Sequence, residues 1–146
     1  RGIDLSQGRG NLELMLKKVE DVVSQDYLVI GQKDKISAVI KKMAKHNNSE
    51  AYCLGANYDF VGKIKLSEIA GAVKSKSVGD YLDKSPTSIK SDASIMQAIE
   101  VASDFVGESI PVISRKDGKL VGVVTEADIF QAYMSTQVKI NDLEKR

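Results

Sequence analysis

Thr125 and Asp128 stand three residues apart, directly after Leu120-Val121-Gly122-Val123-Val124 and directly ahead of an apolar stripe. A Thr followed at that spacing by an acid is a helix start: the hydroxyl caps the first turn, and the carboxylate sits against the positive end of the helix dipole. Other reactive residue types are sparse. Cys53 is the sole cysteine and His46 the sole histidine, so neither an intramolecular disulfide nor a zinc site is expected. Cys53 reads as a small core hydrophobe in a strand and His46 as a polar residue at a helix end. A Cys/His nucleophilic pair would need an orienting group that the sequence does not supply. Gly8-Arg9-Gly10 follows no strand and therefore fails as a phosphate-binding loop. Glu20 and Asp21 read as surface or capping acids. No Ser/His/Asp order emerges, and these residue types point to binding rather than catalysis, a protein that is not an enzyme.

The elements that position Thr125 and Asp128 occur twice. A shift of 59 lays Val19 and Asp21 on Val78 and Asp80, Ile36 on Ile95, Val39 on Ala98 and Ile40 on Ile99. After one extra residue in the second copy the shift is 60, with Val61-Gly62 on Val121-Gly122, Glu68 on Asp128 and Ile69 on Ile129. Copy one reads as a strand at Leu28-Val29-Ile30, then a helix over about 35–46 on the stripe Ile36, Val39, Ile40 and Met43. Strands Ala51–Leu54 and Phe60–Ile64 follow, and then a helix over about 67–75 with Ile69, Ala70 and Val73 inward. Copy two has a strand at Thr87–Ile89 and a helix capped by Ser91-Asp92 or by Ser94, with Ile95, Ala98, Ile99 and Ala102 buried. The hairpin Ile110–Ile113 and Leu120–Val124 turns at Lys116-Asp117-Gly118, and a closing helix runs from Thr125 to about Met134.

The predicted fold class is therefore α/β (α+β), β-α-β-β-α written twice. A unit of about 55–60 residues buries too little surface to stand alone. Two copies packed sheet to sheet hide both apolar faces and leave a cleft at their seam, related by a pseudo-twofold. The methionines Met15, Met43, Met96 and Met134 fall on helical apolar stripes, as core or dimer contacts.

Composition agrees with a folded domain: 42% of residues are hydrophobic and 28% charged, and the net charge of +1 calls for no polyanionic partner, hence no nucleic acid. No window approaches the roughly 20 apolar residues of a membrane span. The chain starts without Met and without a signal-like segment, and it is expected to be part of a longer protein.

Ile110-Pro111-Val112-Ile113, the Asp117-Gly118 turn, and Leu120 to Ile129 with Gly122, Thr125 and Asp128 resemble a CBS repeat. The tandem resemblance covers residues 19–134. Copy one is degenerate, with Tyr52 in the place of Pro111, Lys65 of Thr125 and Glu68 of Asp128. Arg1-Gly2-Ile3-Asp4-Leu5, then Gly8-Arg9 and Val19-Glu20-Asp21-Val22, resemble the linker that joins the membrane region of CLC chloride channels to their paired CBS domains. This implies a linker from a preceding membrane domain at 1–18, repeats at 19–76 and 77–136, and a charged C-terminal tail at 137–146. It also implies a place on the cytoplasmic face of a membrane beside the channel domain of the same chain. The family further implies a homodimer through exposed helices and a regulatory ATP, ADP or AMP, none being a required cofactor. In that family Asp128 would accept hydrogen bonds from the ribose hydroxyls beside Thr125, and a carboxylate suits two vicinal donors. Tyr27 and Leu28 would contact the base. The residue ahead of the second strand, usually aromatic and stacked on adenine, is Asn48 here, with Tyr27 as the nearest replacement. The rival expectations are a ligand-free structural dimerisation element, and a CBS pair regulating another parent such as an enzyme or a magnesium transporter. Lys33, Lys35, Arg115 and Lys116 could meet phosphate but are read as solvated surface groups.

Overall fold

The computed structural model describes residues 16–144, with side chains as far as Thr136. The segment Arg1–Leu5 and Gly8-Arg9 lies outside the described residues, as does Met15. Two three-stranded sheets carry the fold. In the first, β1 (Val29–Ile30) pairs parallel with β2 (Glu50–Leu54), which pairs antiparallel with β3 (Phe60–Lys65). The second repeats this with β4 (Ile89–Lys90), β5 (Ile110–Ile113) and β6 (Leu120–Val124). Helix α1 (Ile36–His46) and the single turn α2 (Leu66–Ile69) serve the first sheet; α3 (Ile95–Ser103) and α4 (Glu126–Glu144) serve the second. None of these helices is long and apolar enough to cross a membrane.

The apolar spacing explains the helices. Ile36, Val39 and Met43 are fully buried on α1 beside Ala51, Cys53 and Ile64. Asn47 ends α1 in the left-handed conformation (φ 55°), and the N–H of Asn48 reaches back to Met43 O at 2.9 Å. On α3 the cap is Ser94, whose Oγ accepts from Gln97 N at 3.1 Å while Gln97 Oε1 accepts from Ser94 N at 3.0 Å. The other faces of the sheets meet each other: Tyr52, Ile113, Leu120 and Val123 form one cluster with Tyr27, Leu54 and Phe60.

Two helices differ from expectation. The helix predicted over 67–75 is one turn; Ile69 is buried, but Ala70 is exposed and Val73 is 58% exposed. The chain leaves the helix because its carbonyls are needed elsewhere. Lys35 provides no side-chain cap for α1, and the N–H groups of Ile36 and Ser37 instead donate to Lys76 O at 2.8 Å and Lys74 O at 3.1 Å. The closing helix, expected to stop near Met134, continues to Glu144 through the charged tail. Residues 135–144 contain neither Gly nor Pro to stop it.

The two repeats also exchange their lead-in segments. The 3₁₀ turn Val19–Val22 precedes copy one in sequence, yet Val19, Val22 and Val23 pack in the core of copy two. Its counterpart Val78–Tyr81 packs Val78, Tyr81 and Leu82 in the core of copy one. The hydrogen bonds obey the same symmetry: Val19 N donates to Ala93 O and Val78 N to Asp34 O, both at 2.8 Å. Beyond each turn the chain pairs with the middle of a third strand, Ser24 with Val123 and Asp83 with Lys63.

Candidate functional site

The exchange builds the walls of a cleft of about 340 Å³ at the seam of the repeats. That size is in the range of small-ligand sites. One wall is the lead-in chain after the Val19–Val22 turn, with Ser24, Asp26, Tyr27 and Leu28. Another is the start of β2, with Asn48, Glu50 and Tyr52, and copy two closes the third with Glu108, Ser109, Val123, Thr125 and Asp128. All five residues singled out from the sequence (Tyr27, Leu28, Asn48, Thr125 and Asp128) therefore line one space.

Thr125 and Asp128 form a reciprocal cap on α4. Thr125 Oγ1 accepts from Asp128 N at 3.0 Å, and Asp128 Oδ2 accepts from Thr125 N at 3.1 Å. The cap uses one carboxylate oxygen and leaves Oδ1 to serve another donor. Asn48 owes its place to the left-handed Asn47, which ends α1 at the cleft edge. Tyr27 sits edge-on to Tyr52, ring centroids 5.8 Å apart. Burial raises the pKa of Tyr27, with a smaller contribution from Tyr58. Leu28 is buried, and its carbonyl accepts from Tyr52 N at 2.8 Å.

The floor holds a group that sequence reasoning missed. Lys63 and Glu50 form an ion pair at 2.9 Å with only 2% and 6% of their surfaces exposed. Together they grip the backbone of Ser109 in the other repeat. Glu50 Oε1 accepts from Ser109 N at 3.2 Å, and Lys63 Nζ donates to Ser109 O at 2.9 Å. Tyr52 adds its hydroxyl, 3.1 Å from Ser109 O and 2.6 Å from Ser109 Oγ. Burial holds the Tyr52 phenol well above its usual pKa; the Ser109 hydrogen bond opposes this, and the nearby Glu50 and Glu108 charges add to it. Tyr52 therefore stays a neutral donor at physiological pH. A partial sequence signal was present, since Glu50 shares its strand face with Tyr52 and Leu54; that Tyr52 lies opposite Lys63 emerges only from the β2–β3 register.

The same clamp fills the position that the pseudo-twofold relates to the open cleft. There Lys63 takes the place of Val123, and its Nζ lies 5.1 Å from the ring centroid of Phe105. A Cβ at Gly107, the counterpart of Asn48, would come within 2.8 Å of Glu50 Oε2 and 2.6 Å of the Phe105 ring. Side chains of Glu50, Lys63 and Phe105 thus occupy part of the position related to the open cleft.

The cleft offers hydroxyls, carboxylates and aromatic edges, but no imidazole or thiol lines it. Cys53 is buried on the helix-facing side of β2, where burial and then the Asp34 charge push its thiol pKa up. Among the described residues no group of three His, Cys, Asp or Glu side chains converges as a metal site.

Residues 78–135 match the CBS domain family, and the architecture as a whole is that of a tandem CBS pair. CBSX2 of Arabidopsis thaliana in complex with AMP superimposes with a TM-score of 0.70 at 16% identity, over 83% of this chain and 98% of that one. The CBS domain pair of MJ0100 in complex with 5′-methylthioadenosine and S-adenosyl-L-methionine gives 0.63 at 20% identity, over 82% and 98%. In sequence, the chain is 25% identical over 131 residues to the A-adding tRNA nucleotidyltransferase of Aquifex aeolicus (strain VF5). That match takes in 88% of this chain but only 15% of the enzyme's length.

Proposed function

We propose that the chain is a non-catalytic regulatory module that binds an adenine nucleoside or nucleotide in the open cleft. The observation that carries this reading is the convergence of Tyr27, Leu28, Asn48, Thr125 and Asp128, from both repeats, on one space of nucleoside size. Asp128 Oδ1 would accept from the ribose hydroxyls, and Tyr27 and Leu28 would flank the base. Fold relatives that hold AMP or S-adenosyl-L-methionine support the reading. Regulation follows from the exchanged lead-in: Ser24, Asp26 and Tyr27 belong to the chain that enters from residues 1–18, so a ligand touching them binds some positions of that segment better than others. Only such a difference in affinity shifts the populations of two arrangements.

Asp128→Ala tests the site by titration calorimetry with adenosine and AMP. Losing charged hydrogen bonds of about 1.5–3 kcal/mol should weaken binding about 10- to 100-fold. Unchanged affinity would remove Asp128 from the site, and no binding of any adenine ligand at millimolar concentration would favour the ligand-free structural module instead.

The module is also proposed to form a homodimer. On the surface of α3 and α4, Met96, Phe130 and Met134 are 37%, 46% and 58% exposed, and burying them is the natural use of such a face. Sedimentation equilibrium should show a dimer that Phe130→Glu converts to monomer; a wild-type monomer at high concentration overturns this. For the parent protein, the linker resemblance supports a chloride channel or transporter, which would place the module on the cytoplasmic face of a membrane. The match to the tRNA nucleotidyltransferase favours a second reading, a regulatory segment of an enzyme.

A further inference from the structure

Four carboxylates line the open cleft, Asp26, Glu50, Glu108 and Asp128, whereas no Lys or Arg among the described residues does. Two of the groups that could offset this charge are already engaged. The Lys63 ammonium lies beneath the floor and is committed to Glu50 and Ser109 O. The α4 N-terminus, which would otherwise attract an anion, is occupied by the Asp128 carboxylate of its own cap. Lys17 lies in a separate depression that Asp128 also lines. Glu108 is held at the rim by the hydrogen bond it accepts from Ser49 N at 3.0 Å.

We infer that the cleft selects an adenosine-type ligand whose 5′ substituent is neutral or cationic and discriminates against 5′-phosphates. This rests on the nucleoside reading of the cleft and specifies the ligand within it. A phosphate entering the space would meet Asp26 and Glu108 with no countercharge among the described lining residues, whereas a sulfonium or amine would find its partners in place. The repulsion acts in a partly closed space, where it is screened less than on open surface.

The test is calorimetry of the intact chain with four probes: adenosine, S-adenosyl-L-methionine, AMP and ATP, the last with and without Mg²⁺. Adenosine and S-adenosyl-L-methionine should bind at least about tenfold more tightly than AMP, with ATP weaker again, and the AMP deficit should shrink as salt is raised. Asp26→Lys, at an exposed position, should narrow the gap between adenosine and AMP about tenfold. AMP or ATP binding as tightly as adenosine overturns the charge selection but leaves the cleft a nucleoside site. Failure of all four probes to bind overturns the nucleoside reading itself, and the selection with it.

Discussion

Lys63→Ala should destabilise the fold by about 3–5 kcal/mol, the usual cost of leaving a buried charge without its partner. Lys63 and Glu50 are nearly sealed from solvent at 2% and 6% exposure, so Glu50 would be left charged with little hydration to replace its partner. The loss extends further. Ser109 O would lose a donor, and the Tyr52 and Phe105 rings, 5.7 and 5.1 Å from the ammonium, would lose a cation. Glu50→Gln should cost less, because an amide still fills the space and its oxygen can accept from Ser109 N. Combining Glu50→Gln with Lys63→Met should recover much of the loss, since the isolated charge is then gone. Urea denaturation followed by circular dichroism gives the three values. A loss below about 1 kcal/mol for Lys63→Ala would mean that the pair is solvated in solution, contrary to its role as the pin between the repeats.

Gly122→Ala should cost about 1–3 kcal/mol through overpacking. A Cβ there would lie 2.9 Å from Ser24 O and from Val23 Cβ, both rigid parts of the exchanged lead-in. The chain must move outward or the strand inward. Either way Ser24 loses its two bonds with Val123, of 2.7 and 2.9 Å. Because Ser24, Asp26 and Tyr27 are a wall of the cleft, ligand affinity should fall together with stability. Gly71→Ala is the control: a Cβ there meets nothing within 4 Å, and its effect should stay within about 0.5 kcal/mol. Equal stability of Gly122→Ala and the parent chain would show that the lead-in does not lie over β6.

Particular residues show why some of this was legible in the sequence. Ile36, Val39 and Met43, like Ile95, Ala98 and Ala102, lie at helical spacing, and that periodicity needs no tertiary knowledge. Asp117-Gly118 places the hairpin because Gly118 takes a positive φ of 72°. The internal match of Val19 with Val78 marked the lead-ins as equivalent but could not say on which repeat each one packs. Exchange and self-packing present the same pattern, and only the tertiary structure separates them. The short α2 is another non-local outcome: Ala70 and Val73 fit a helical stripe, yet the free N–H groups of α1 claim the carbonyls just beyond. At the site, Thr125 and Asp128 were readable because a cap and a carboxylate acceptor use the same spacing. Asp26 and Glu108 were not, since in sequence they are indistinguishable from solvated acids.

The proposed regulatory role depends most on a nucleoside seated against both repeats at once. Amide chemical-shift mapping of the ¹⁵N-labelled chain during an adenosine titration addresses this directly. Saturable shifts concentrated at Tyr27, Leu28, Asn48, Thr125 and Asp128, with little change around Phe105 and Gly107 at the related position, are the predicted result. A spectrum unmoved at millimolar adenosine, or shifts centred away from that seam, would contradict it.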